Sequence, residues 1–229
     1  MMTNLKVKNS VCSGFENDTT KVAILKRMIL LGAIYLFTAP VSFAQFVIEP
    51  FVSEDNLILE SWYFNTIDQS KRLSVFSLNE INHNYDTEST SFLSYGVVGF
   101  DWKKGFGPIV GWRFSPYTAA ALAGVQYGFY RENFFAIVNV SSELKSNPNL
   151  ELYSMIQYRR PITEKLKGFT QLQISKNFVD ANHAFSLYRL RVGGDFGKIQ
   201  TGIGLEQTMA GEDWNHEIAP GLFLRLELY

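Results

Sequence analysis

The feature that most constrains this chain is a period of two in its hydrophobicity, clearest over residues 198–229. Ile199, Thr201, Ile203 and Leu205 alternate with Gln200, Gly202, Gly204 and Glu206; after a polar loop at 209–217, Leu222, Leu224, Leu226 and Leu228 alternate with Phe223, Arg225, Glu227 and Tyr229. Residues i and i+2 of a strand share a face, so each segment has one apolar and one polar side, a pattern that a helical period would scramble. The two segments predict a hairpin. A final strand leaves its edge unpaired unless the sheet closes, and closure into a barrel removes edges altogether. The expectation is an all-β, closed antiparallel barrel whose first strand meets its last.

The alternation recurs upstream. It predicts strands at 46–52, 57–65, 70–81, 89–100, 106–115, 117–130, 133–142, 149–160, 167–177, 184–194, 198–208 and 218–229. Segments of ~9 to 11 residues cross a membrane at a tilt. That makes twelve transmembrane strands, with ten as the alternative count, because the first segment is short and contains Pro50, a residue expected at an edge or a bulge. Three strands read cleanly as lipid-out and water-in: Phe134, Ala136, Val138 and Val140 oppose Asn139, Ser141 and Glu143; Leu150, Leu152, Ile156 and Tyr158 oppose Glu151, Gln157 and Arg159; Leu172 and Ile174 oppose Gln171, Gln173, Ser175 and Asn177. The segment 119–130 is apolar on both faces in its first half, as a short buried helix is, but the spacing of Gly124, Gln126 and Gly128 favours a strand.

The N-terminal segment reads differently. Lys26 and Arg27 precede an apolar run at 28–37, followed by Pro40 and the small-residue site Ser42, Phe43, Ala44. This is the pattern of a secretory signal peptide cut after Ala44, so residues 1–44 are expected to be removed and 45–229 to form one exported barrel domain. The single cysteine, Cys12, falls in the removed part, leaving no disulfide to staple the fold. Of 21 Lys+Arg and 22 Asp+Glu in the chain, five and two precede residue 45, so the exported part carries 16 and 20, a net −4. It has no basic tract of the kind nucleic acid requires.

The connections sort by charge. One set carries Lys71, Arg72, Lys103, Lys104, Arg131, Arg159, Arg160, Lys165, Lys167 and Lys198 against Asp68, Asp101, Glu132, Glu164 and Asp195. The other holds Glu54, Asp55, Asp86, Glu88, Glu143, Asp180, Glu212, Asp213 and Glu217 against Lys145. Alternate connections lie at opposite ends of an up-and-down barrel, so one rim is expected to be basic and the other acidic. An even strand count puts both ends of the barrel on the basic side, leaving the acidic rim outside.

A leader, short turns, alternating strands and a last strand, 222–229, that closes on an aromatic residue together resemble Gram-negative outer-membrane β-barrel proteins over the whole exported length. In that class the final aromatic sits on the apolar face, whereas Tyr229 shares a face with Arg225 and Glu227. The resemblance implies residence in outer-membrane lipid. It is to an architecture and names no family, solute, partner or oligomeric state.

Three constellations bear on function. By alternation Arg113, Arg159, Arg189, Arg191 and Arg225 line the lumen together with Glu151, Glu206 and Glu227, and Arg159, Arg191 and Arg225 lie near the basic end. An open ring of arginines selects anions; arginines paired with the inward glutamates fill a narrow barrel instead. His83, His183 and His216, each preceded by asparagine, are expected in solvated loops of the acidic rim with no metal bound. Some outer-membrane barrels of this size hydrolyse lipids with a His and a Ser two residues apart on one strand face. Here His183 and Ser186 are three apart, on opposite faces of a regular strand, and no nucleophile elbow, phosphate loop or cofactor fingerprint occurs. The expectation is a passive channel for small polar or anionic solutes without cofactor or catalytic residues. The alternatives are a non-conducting surface or scaffold barrel acting through its acidic loops and, third, a lipid-modifying enzyme.

Overall fold

The computed structural model describes residues 45–68, 70, 72–180, 182–211 and 213–228; the leader, its cleavage after Ala44, Cys12, the rim residues Lys71 and Glu212, and the terminal Tyr229 lie outside them. The described residues form twelve antiparallel strands: β1 (Gln45–Ser53), β2 (Asn56–Thr66), β3 (Leu73–Asn84), β4 (Ser89–Phe100), β5 (Phe106–Ser115), β6 (Thr118–Arg131), β7 (Phe134–Glu143), β8 (Asn149–Pro161), β9 (Lys167–Val179), β10 (Asn182–Asp195), β11 (Ile199–Ala210) and β12 (Asn215–Leu228). Each pairs with its neighbours in sequence, and β1 pairs with β12 to close the barrel. The two-sided segment at 119–130 is strand throughout.

The closing ladder runs from Phe46↔Leu228 to Ser53↔Gly221 and skips Glu49 and Pro50. Pro50 was expected at an edge or a bulge; instead β1 is hydrogen-bonded on both sides, with Pro50 opposite Leu59 of β2. Proline has no N–H to donate, and the skipped rung toward β12 is where that loss falls.

Strand ends differ from the sequence expectation by more than one residue in two places, the start of β3 and the acidic rim. β3 starts at Leu73 because Asp68 Oδ1 accepts from Leu73 N at 2.6 Å and holds the preceding turn. At the acidic rim the ladders run further than the alternation does, to Asn84↔Ser89 and Ala210↔Asn215, and Asn84 Nδ2 donates to Asn56 Oδ1 at 3.1 Å. His83, His183 and His216, expected in loops, are therefore all in strands: β3, β10 and β12. Backbone pairing continues past the point where side chains stop alternating.

The outer wall is apolar: Leu59, Ile81, Val125, Val140, Leu150, Ile156, Leu190, Ile203, Leu222 and Leu224 are all exposed there. The inner face is not uniformly wet. From β2 to β8 the inward side chains include Trp62, Phe76, Leu78, Tyr95, Val97, Ile109, Leu122, Phe135, Ile137, Tyr153 and Met155, one continuous buried cluster. Trp62 of β2 stacks on Phe135 of β7 with ring centroids 6.1 Å apart, and Phe76 of β3 meets Tyr153 of β8 at 5.6 Å. Those strands lie five apart around a ring of twelve, so the contacts reach from one wall almost to the opposite one. A lumen of this width is filled by side chains, and aromatic rings supply the volume.

Candidate functional site

The other part of the lumen, walled by β9 to β12 and β1 to β3, carries a charged network beside a smaller apolar cluster of Phe51, Ile58, Phe169 and Phe223. Arg189 of β10 donates through Nε to Glu206, through Nη1 to Glu60 and through Nη2 to Glu80 Oε2 at 3.0 Å. Arg191 donates through Nε to Glu49 Oε1 at 2.8 Å and through Nη2 to Glu206 Oε1 at 3.1 Å. Arg225 of β12 donates through Nε to Glu49 Oε2 at 2.7 Å. These three guanidiniums are among the most buried side chains of the protein. Charges withdrawn from water must be paired, and here each arginine meets at least one carboxylate. Nearer the basic end, Arg159 Nη2 grips both oxygens of Glu227 at 2.7 and 2.6 Å, and Gln200 Nε2 adds a bond to Glu227 Oε2 at 2.8 Å. Toward the acidic end Arg113 Nη1 donates to Glu151 Oε2 at 3.1 Å and Asn177 Oδ1 at 2.6 Å.

All eight residues singled out from the sequence, Arg113, Arg159, Arg189, Arg191, Arg225, Glu151, Glu206 and Glu227, are on the inner face. They do not form a ring of free cations. Among the described residues the lumen also holds Glu49, Glu60, Glu80, Glu143 and Asp195, so eight carboxylates face five arginines and Lys145, which pairs with Glu143, and the excess charge is negative. Glu49, Glu60 and Glu80 escaped sequence reasoning because β1 to β3 carry apolar residues on both faces, so polarity alone does not mark the inner one. The signal that finds them is parity within a strand: Leu57 and Leu59 outward force Glu60 inward.

Glycines make room for this layer. The Arg191 guanidinium lies 4.0 Å from the centre of the Phe51 ring, and a Cβ on Gly204 would stand 2.8 Å from both Arg191 Nη1 and Phe51 Cε2. Gly204→Ala is expected to cost about 1–3 kcal/mol through overpacking, read as a lower urea midpoint at an unchanged slope. The layer separates two vestibules. One, of about 330 Å³, opens at the acidic rim between Asn56, Asn82, Asn84, Thr87 and Glu217, with Glu206 as its floor. The other, of about 250 Å³, opens at the basic rim between Gln45, Glu132, Asn133, Gln157 and Arg159, closed inward by Phe135.

On the outer wall the structure overturns the expectation that His183 and Ser186 lie on opposite faces. His183 stands opposite Phe178 of β9, and Phe185 already stands opposite Asn177, so Ala184 is an extra residue. A bulge of this kind shifts the side-chain parity of whatever precedes it. Ser186 stands opposite Lys176, which is two residues from Phe178 on β9, so His183 and Ser186 share a face, and it is the outer one. Their Nε2···Oγ distance is 2.9 Å, and His183 Nδ1 lies 2.8 Å from the carbonyl oxygen of Gly211. The Trp214 indole stacks on the imidazole at 3.8 Å and 11°. His83, by contrast, contacts Thr90 Oγ1 at 3.0 Å on β4, far around the barrel.

No known protein family matches the sequence, and no curated protein is similar to it. Solved structures do align. A chain from work on the in-meso crystallisation of membrane proteins is 10% identical, with 81% of this chain and 83% of that one covered and a TM-score of 0.46. OpdQ of Pseudomonas aeruginosa is 10% identical over 77% of this chain and 67% of its own, with a TM-score of 0.38. The β domain of the Bordetella autotransporter BrkA is 12% identical over 80% and 96%, with a TM-score of 0.34. The class rests on the chain's own pairing: a closed, all-antiparallel, twelve-stranded barrel with an apolar outer wall is the architecture of outer-membrane β-barrel proteins.

Proposed function

We infer that the protein, exported and cut after Ala44, resides in the outer membrane as a barrel whose lumen is held shut, and that it acts through its wall and rims. The observation that carries this reading is the layer of Arg189, Arg191 and Arg225 with Glu49, Glu60, Glu80 and Glu206, which ties β10 and β12 to β1, β2 and β3 across the interior. Buried pairs of this kind are strongly destabilised when one partner is lost, so the layer is not a loose plug that a passing solute displaces.

A passive channel for small polar solutes is the second reading, and the two open vestibules favour it, while the excess of carboxylates in the lumen speaks against the anionic solutes expected from the sequence. Planar-bilayer recording decides between them. A shut barrel gives no ohmic steps at moderate voltage in the wild type. Steady wild-type conductance would overturn the shut reading. The excess of carboxylates over guanidiniums makes any such current cation-preferring, because low-dielectric walls focus the lumen's field, and reversal potentials in a salt gradient report the sign.

A further inference from the structure

The geometry points to a serine-nucleophile site for lipid esters on the outer wall, formed by Ser186 and His183 and oriented by the Gly211 carbonyl. A carbonyl oxygen only accepts, so the 2.8 Å contact fixes the imidazole proton on Nδ1 and leaves the lone pair of Nε2 facing the Ser186 hydroxyl at 2.9 Å. Nucleophile, base and orienting acceptor are thus in line, the arrangement in which a serine is activated by an adjacent imidazole. The orienting bond is itself held: Gly211 N donates back to the Ala184 carbonyl at 3.0 Å, and Gly211 takes a φ of +73°, which suits glycine.

The wall around the pair selects the substrate class. Ser186 stands between Lys176 of β9 and Met209 of β11 in the ladder, both outward-facing, and Lys176 Nζ lies 5.5 Å from the centre of the Tyr188 ring. One ammonium among apolar and aromatic side chains, at the rim end of a lipid-facing wall, suits an amphiphile with an anionic headgroup and an acyl ester. Ser186 is 0% exposed and His183 8%, with the Trp214 indole stacked on the imidazole, so access of an ester to the pair requires that ring to swing aside.

The step balances. Ser186 Oγ forms a bond to the ester carbonyl carbon while its proton passes to His183 Nε2. The C–O bond to the alcohol breaks, and the alcohol leaves with that proton. Water then repeats the sequence on the acyl-serine, releasing a fatty acid and restoring both residues. This chemistry is independent of whether the lumen conducts, because the pair faces away from it.

The test uses the full exported barrel, folded as judged by heat-modifiable mobility, with an alkyl fluorophosphonate as probe and phosphatidylglycerol vesicles as substrate. Peptide mapping is expected to place the probe on Ser186, faster in Trp214→Ala than in the wild type. His183→Gln should lower the labelling rate by about 10²-fold or more, and Ser186→Ala should abolish labelling and fatty-acid release with the barrel still folded. Absence of label in folded Trp214→Ala, or labelling indifferent to His183→Gln, would overturn the site. Label without fatty-acid release from the vesicles would overturn the lipid assignment.

Discussion

Arg189→Gln is expected to lower the unfolding free energy of the barrel by about 3–5 kcal/mol, the typical consequence of breaking a buried ion pair from one side. The direction follows from the partners. Arg189 alone is bonded to Glu60, Glu80 and Glu206, and it is 1% exposed. A neutral amide in its place leaves three carboxylates with one guanidinium, Arg191, reaching one of them. Urea titration in detergent or lipid reads the loss. A control separates charge from packing: Arg189→Gln combined with Glu206→Gln removes one charge of each sign and should recover part of the deficit. If the single substitution left the urea midpoint unmoved, the arginine would not be holding the layer together.

Trp62→Ala is expected to cost a comparable amount, about 3–5 kcal/mol, through a cavity and not through charge. Trp62 is 1% exposed and stacks on Phe135, which also meets Phe64 at 5.7 Å and Tyr130 at 6.4 Å. The rings around it belong to β2, β6 and β7, so removing the indole takes away a contact between distant walls. The packing argument adds a second readout. Because the hole lies beside the vestibule that Phe135 closes, water is expected to enter it, and a fluorescent label nearby should redden. Retained stability without solvent entry would mean that the aromatic cluster is not what fills this side of the lumen.

How much of this was legible in the sequence depends on whether local pattern or three-dimensional closure decides the point. The Leu222, Leu224, Leu226, Leu228 row and the Val138/Asn139 alternation give face and register directly, since a one-residue slip would reverse every side chain. The twelve strands were legible for the same reason. The filling of the lumen was only half legible. Arg225 and Glu227 announce an inward polar face, but whether an inward arginine meets water or Glu49 depends on a neighbour 176 residues away in sequence. Trp62 and Phe135 are similarly silent, because inward aromatics on strands with apolar outer faces do not disturb the hydropathy pattern in any one place. The His183–Ser186 pair was hidden by a single inserted residue, Ala184, whose effect on parity exists only relative to β9.

The skipped rung between β1 and β12 gives the seam a particular character. Between the paired rungs Ile48↔Leu226 and Phe51↔Phe223 the backbone ladder lapses, and at that height the inward side chains are Glu49 and Arg225, bonded to each other. The last stitch of the cylinder is therefore tied by a side-chain knot inside it, at the two residues of β1 where the main-chain ladder to β12 lapses. An open sheet of these twelve strands has no means of burying Arg225, and a closed one has no means of leaving Glu49 free. Zipping the wall and plugging the bore become one event, so a half-assembled, leaky cylinder is a state that this chain is built to pass over.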